Sequence, residues 1–156
     1  MKKKRSRSHP LICWDIAAPA ILQLPHSPDE EDLRELALKY DWVIDVPAVF
    51  LQEFEAIVVT TLDQKIVWTS RGFKKMTGYT PSFARHKQPS FLQGEATDPV
   101  VRASIRAALR DFKHITGTLV NYRKDGTSYR CQVSIQPVRN SGGAVVHFMA
   151  LERSLD

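Results

Sequence analysis

The sequence predicts an α+β domain: one five-stranded antiparallel sheet with helices on one face, preceded by an N-terminal helical cap. Three observations predict it. Residues 56–156 read as β-β-α-α-α-β-β-β, with β-branched runs at both ends and helical periodicity between them. Short turn-forming connectors join the strands within each group, as antiparallel neighbours require. Before residue 55 the pattern is helical and acidic instead.

Taken in order, residues 1–10 form a basic arm read as disordered. Residues 11–54 form a cap or docking extension. Its first part, 11–25, is apolar but broken by Pro19 and Pro25, so it suits docking better than a long helix. Ser27-Pro28-Asp29-Glu30 starts a helix, with Ser27 as cap, Pro28 in the first turn and Glu30 completing a capping box. Leu33, Leu36, Ala37 and Tyr40 give that helix one apolar face to about Trp42, and Pro47 opens a shorter piece ending near Phe54. Residues 55–156 hold the sheet domain. Ala56–Thr61 and Lys65–Ser70 form a hairpin around Leu62-Asp63-Gln64. Helices follow over Arg71–Thr77, stopped by Gly78, and over Pro81–His86, capped by Thr80. Asp98-Pro99 begins a longer helix whose apolar side is Val101, Ile105, Leu109 and Phe112. Strands over about 114–124, 128–138 and 144–153 close the chain.

The net charge of +5 over 156 residues would ordinarily suggest an acidic partner. Its distribution argues otherwise. Residues 1–7 carry five bases, residues 8–55 carry a net −8, and residues 56–156 a net +8. Opposite signs on cap and sheet domain predict that one folds on the other, within a subunit or between two. Nucleic-acid binding then rests on the arm alone, and seven residues carry little specificity. Two cysteines, Cys13 and Cys131, make no disulfide framework, which suits a reduced cytoplasm. The apolar stretch after the arm is interrupted by Asp15 and two prolines, unlike a secretory signal, and no later run is long enough to span a membrane. The five histidines show no metal-ligand spacing, and there is no Gly-rich phosphate loop or nucleophile elbow.

Four segments resemble a PAS domain, specifically the LOV branch of flavin-binding blue-light sensors. They are Trp68-Thr69-Ser70-Arg71-Gly72-Phe73, Met76-Thr77-Gly78-Tyr79-Thr80, Phe91-Leu92-Gln93-Gly94 with Thr97-Asp98, and Asn121-Tyr122-Arg123-Lys124-Asp125-Gly126. The resemblance spans about residues 55–154 and implies a glove-shaped sheet whose helices close a small-molecule pocket. It implies FMN as the cofactor class, but the matching positions depart from the pattern. Where the family has its adduct-forming Cys stands Pro89, and where it has a phosphate-binding Arg stands Ser90. The ring-contacting Asn is Gln88, while Gln93, Asn121 and the second phosphate-binding Arg, Arg106, are retained. A second sheet amide has become Cys131, and the signalling Gln of the last strand has become Glu152. The candidate ligand-binding set is therefore Gln88, Gln93, Arg106, Asn121, Cys131 and Glu152, with no catalytic or metal residue.

Strand parity gives an independent reading of the same face. A three-residue loop at Asp125-Gly126-Thr127 sets Asn121 opposite Cys131, and the connector Asn140–Gly143 sets Cys131 opposite Glu152, making one polar row. Two readings of Cys131 stand, a ligand-facing thiol or a small buried apolar residue. Glu152 either sits wet near the chain end or faces a dry pocket, where desolvation would make it a protonation switch. Arg102, Arg106 and Arg110 recur every four residues, with three readings: a solvated face, a dock for the acidic cap, or a phosphate site.

The reading that follows is a stand-alone, non-catalytic PAS-type sensory or interaction module in the cytoplasm. Because the chain ends at Asp156, output is expected through a separate effector protein or through homodimerisation by cap or sheet. The alternatives are an FMN flavoprotein photoreceptor or redox sensor working without an adduct, and a nucleic-acid binder using the arm.

Overall fold

The computed structural model describes residues 26–156. The basic arm and the apolar stretch expected before residue 26, with Cys13, lie outside the described residues.

Two helices form the cap, α1 over Pro28–Lys39 and α2 over Val46–Phe50. Ser27 caps α1 by accepting the Glu30 N–H at 3.2 Å, and Pro28 sits where a missing donor costs nothing. The expected capping box is only half made. The Glu30 carboxylate turns to Arg34 at 2.7 Å and His26 at 3.0 Å instead of back to the cap residue. The helix stops at Lys39, short of the expected Trp42, because Asp41 takes a left-handed φ of 55°. A short polar residue tolerates that stop, and the Trp42 N–H bonds back to the Ala37 carbonyl at 2.8 Å.

The sheet comprises β1 (Ala56–Thr60), β2 (Ile66–Thr69), β3 (Ile115–Tyr122), β4 (Ser128–Arg139) and β5 (Val145–Ser154), in the order β2-β1-β5-β4-β3. Every neighbouring pair is antiparallel. Between β2 and β3 lie α3 (Gly72–Thr77), α4 (Pro81–Ala84), a 3₁₀ turn (Pro89–Leu92) that periodicity did not reveal, and α5 (Pro99–Arg110). α4 ends before the expected His86, because residues 86 and 87 peel away to bond β2. The His86 N–H reaches the Ile66 carbonyl at 2.8 Å, and the Ile66 N–H reaches the Lys87 carbonyl at 2.9 Å. Phe112, assigned above to the apolar side of the long helix, lies beyond its end with φ of 52° and is largely exposed, edging Phe148.

Both faces of the sheet are covered, which is why all five residues of β1 are buried. Val58, Phe73, Leu92, Leu119 and Val133 pack between the sheet and α3–α5. On the opposite face, Leu33, Trp42, Val49, Ile57, Met149 and Leu151 pack between the sheet and the cap. The cap therefore docks in the same chain. Asp29 accepts from the Arg71 backbone N–H at 3.1 Å and from its guanidinium at 2.7 Å, with Asp32 at 3.4 Å. This overturns the reading in which the acidic segment folds onto the arginine stripe, because α5 packs on the other face of the sheet. Among the described residues no helix is long and apolar enough to cross a membrane.

Two close contacts give direct tests. A Cβ on Gly72 would stand 1.8 Å from the Glu55 carbonyl oxygen, so this helix start fits only without a side chain. Gly72→Ala should destabilise the fold by about 3 kcal/mol through forced backbone displacement, read by urea unfolding; an unchanged midpoint would refute the contact. Under the cap, the Trp42 indole donates to His147 Nδ1 at 3.1 Å. Burial lowers the His147 pKa, so the folded chain takes up its proton later than the unfolded chain. The stabilisation is complete above the ordinary histidine range near pH 6.5 and is lost as pH falls through the depressed value. The wild-type advantage over His147→Phe should therefore shrink on acidification.

Candidate functional site

The cavity lies where α5 and the 3₁₀ turn cover β3, β4 and β5. Three sequence features hold its roof in place. Gly94 donates its N–H to Thr97 Oγ1 at 3.0 Å, and that hydroxyl donates to the Val120 carbonyl at 2.5 Å. Ala96 N–H reaches the Tyr122 hydroxyl at 3.0 Å. Gln93 and Asn121 consequently form an isolated antiparallel bridge at one end of the cavity. Asp98 then caps α5 through the Val100 N–H at 2.7 Å, swinging Ile105 and Leu109 down as the lid.

The space is about 100 Å³. Its walls are mainly aliphatic, among them Val58, Leu92, Ile105, Leu119, Val133 and Ala150. Into it come three residues of the sequence-derived set: Gln93, Asn121 and Glu152. Asn121 is 4% exposed and Glu152 5%. Gln93 Oε1, Asn121 Oδ1 and Glu152 Oε2 are all buried without a hydrogen-bond partner among the described residues. Native interiors rarely leave such atoms bare. Burial alone pushes the Glu152 carboxyl up to about 7.

The other three residues of the set go elsewhere. Cys131 lies in the hydrophobic cluster under the helices and does not line the cavity, its thiol pKa raised by burial and by Glu152. The buried-apolar reading of that residue is the one this placement matches. Gln88 points outward and donates to the Asp63 carbonyl at 3.2 Å. Arg106 is exposed and lines an outer cleft of about 280 Å³ that also takes in Gln88 and Gln93 of the set, with Arg102, Ser90 and Gln64. Residue spacing missed two groups at the site. Gln64 reaches both spaces from the β1–β2 turn with a left-handed φ of 64°, and Thr60 enters from β1. Tyr129, in the core cluster beside the cavity, is fully buried with its hydroxyl unpartnered and Arg123 over its ring at 4.4 Å.

The expected row needs correction. Parity held, since Asn121, Cys131 and Glu152 share one face, but the register is displaced by two on both hairpins. Asn121 pairs with Tyr129, Leu119 with Cys131, and Val133 with Glu152. The first hairpin closes one residue earlier than expected, with the Arg123 N–H bonding the Thr127 carbonyl at 2.8 Å. The second carries a bulge between Val138 and Arg139. Asn121 and Glu152 therefore face the cavity from diagonal corners.

The flavin mononucleotide implied by the resemblance is larger than the inner cavity alone, which adjoins the outer cleft through Gln64, Ser90, Gln93, Ile105 and Leu109. Small-molecule sites run from roughly 300 to 1,000 Å³, well above this cavity. At the phosphate end Ser90 offers no charge but Arg102 and Arg106 line the same cleft, and the adduct position is Pro89, whose side chain has no nucleophile.

A wider hollow, about 690 Å³, is an open groove between α1 and β2 with Asp29, Asp32, Arg71 and Arg85 on its walls. Its Asp29 and Asp32 are paired with Arg71, unlike the bare oxygens of the cavity.

Comparisons with known proteins place residues 55–154 in the PAS domain family. Phototropin-2 of Oryza sativa subsp. japonica is 36% identical over 101 residues, covering 65% of this chain but 11% of the relative. A blue-light-activated histidine kinase of Brucella ovis is 34% identical over 88 residues, 56% of this chain and 18% of the kinase. The chain thus spans between a tenth and a fifth of these relatives. Among solved structures, the light state of the Aureochrome1 LOV photoreceptor superposes with a TM-score of 0.64 at 31% identity, covering 71% of this chain and 88% of that one. The LOV domain of an Erythrobacter litoralis blue-light-activated histidine kinase gives 0.62 at 25% identity, covering 67% and 97%.

Proposed function

The chain belongs to the PAS-domain family, and from that premise we propose that it is a non-catalytic sensory module reading a small polar ligand held in its cavity. It works without a cysteinyl–flavin adduct, in the cytoplasm, with output through dimerisation or a separate effector. One observation carries this reading: three buried, unpartnered oxygens line one small cavity. An apolar core would not keep them, because each costs about 1–3 kcal/mol unless something pairs with it.

The route outward is β5. Phe148, Ala150 and Glu152 face the cavity, while Met149 and Leu151 between them pack under the cap. The Glu152 carbonyl also accepts the Glu55 N–H at 2.8 Å, where the cap joins β1. A ligand that shifts Glu152 acts on a strand whose reverse side carries the cap. The relatives' light sensing supports a sensory role in general.

Mass analysis of small molecules released from purified protein tests the proposal, together with absorbance at about 450 nm, where oxidised isoalloxazine absorbs. A stoichiometric small polar molecule and a colourless solution are expected. Stoichiometric flavin in a yellow protein would replace this reading with a flavoprotein acting without an adduct.

A further inference from the structure

The charge balance of the cavity constrains its ligand further, granted the sensory reading above. All three unpartnered atoms are assigned as acceptor oxygens. Among the residues lining the space, Glu152 is the one that carries a formal charge. A buried carboxylate needs a counter-charge or a proton, since desolvation opposes the ion.

Among the described residues no side chain in reach supplies the counter-charge. On β4, burial and the Glu152 carboxylate hold the Tyr129 phenol and Cys131 thiol in their neutral forms. From the β1 side comes Glu55, itself acidic, its carboxylate accepting the Ser154 N–H at 3.2 Å. Arg153, adjacent on β5, is engaged by Glu53 at 2.8 Å and Gln132 at 2.9 Å. From α5 come Ile105 and Leu109, while Arg102 and Arg106 stand in the outer cleft.

We infer that the cavity binds a small organic monocation rich in N–H donors, of the amidinium or primary ammonium class, with Glu152 as counter-ion and Asn121 and Gln93 accepting its remaining protons. A space of about 100 Å³ limits the buried part to a few heavy atoms. The two arginines outside disfavour a second positive charge and tolerate a neutral or anionic outer end. The exchange of an amide for a carboxylate on the last strand then changes the class of ligand, from one that an amide can contact to one that is positively charged.

Calorimetric titration of the full chain with acetamidinium, acetamide and acetate at pH 8 tests this. Acetamidinium alone should bind saturably with one site. Its affinity should fall about a hundredfold between pH 8 and pH 5, as protons compete for a carboxyl near 7. Glu152→Gln, which keeps the shape and removes the charge, should abolish binding while the thermal unfolding transition stays cooperative. Equal binding of acetamide or acetate, or an unchanged titration with Glu152→Gln, would overturn the cationic class. Release of a neutral or anionic molecule other than flavin from the purified protein would also overturn it and leave the sensory reading standing. No released molecule and no response to any probe would overturn both.

Discussion

Glu152→Gln should stabilise the domain by about 3 kcal/mol at pH 8, measured by urea unfolding without added ligand. The magnitude follows from the displaced titration. An ordinary glutamate ionises near 4.5, and burial pushes Glu152 to about 7. The folded chain therefore holds its proton after the unfolded chain has released it. Whatever stability protonated Glu152 permits is fully present below pH 4.5, declines as pH rises, and is lost above about 7. At about 1.4 kcal/mol per pK unit the loss is roughly 3 kcal/mol, or a melting shift on the order of 10 °C. Glutamine has no such limb. The stability difference between the two proteins should be near zero at pH 4 and rise to its plateau by pH 8. A flat difference would place Glu152 in contact with water and remove the basis for its role in the cavity. Because His147 contributes a limb of opposite slope in the same range, each effect must be read as a difference from its own variant.

Leu33→Ala should cost about 3 kcal/mol and loosen the cap more than the sheet. Leu33 is the one fully buried residue of α1 and sits in the cluster with Ile57, Val59, Met149 and Leu151. Truncating a packed leucine removes transfer energy and leaves a cavity, for about 2–5 kcal/mol in all. The polar attachment of the same helix is worth far less. Arg71 is 61% exposed where it meets Asp29 and Asp32, so Arg71→Ala should cost within about 1 kcal/mol. Hydrogen exchange should show amides 33–39 deprotected by Leu33→Ala while β1 amides stay slow. Equal effects from the two variants would mean that charge, rather than burial, holds the cap.

Strand identity, order along the chain and the inward-facing parity of β3–β5 were legible because period-two alternation survives in one sequence. Register was not, and the reason is local. The expected loop Asp125-Gly126-Thr127 differs by one residue from the loop that forms, and each such slip moves a pairing by two. The bulge near Val138 leaves no distinctive residue to reveal it. Helix ends failed where Asp41, His86 and Phe112 adopt left-handed conformations, which glycine signals and these residues do not. At the site, Gln93, Asn121 and Glu152 were visible through resemblance, and their convergence depended on parity. Gln64 and Thr60 were invisible because they enter from a turn and a strand end that only the closed sheet brings near. The face on which the cap would lie was also beyond reach, since opposite charge says that two parts meet but not where.

The bond between Trp42 and His147 joins residues 105 positions apart, and β1 pairs with β5 along its whole length. During synthesis at about 5–20 residues per second, the cap and β1 emerge well before the strand that completes them. Until β5 leaves the ribosome, Ile57, Val59 and Leu33 lack Met149 and Leu151, and β1 has only β2 beside it. Folding therefore waits on β5, whose residues Val145–Ser154 complete both cores at once. Slow, high-contact-order folding is expected. A stop codon near residue 145 would leave a chain with neither cavity nor docked cap, so nascent truncations should be recognised as unfolded rather than accumulate as partial sensors.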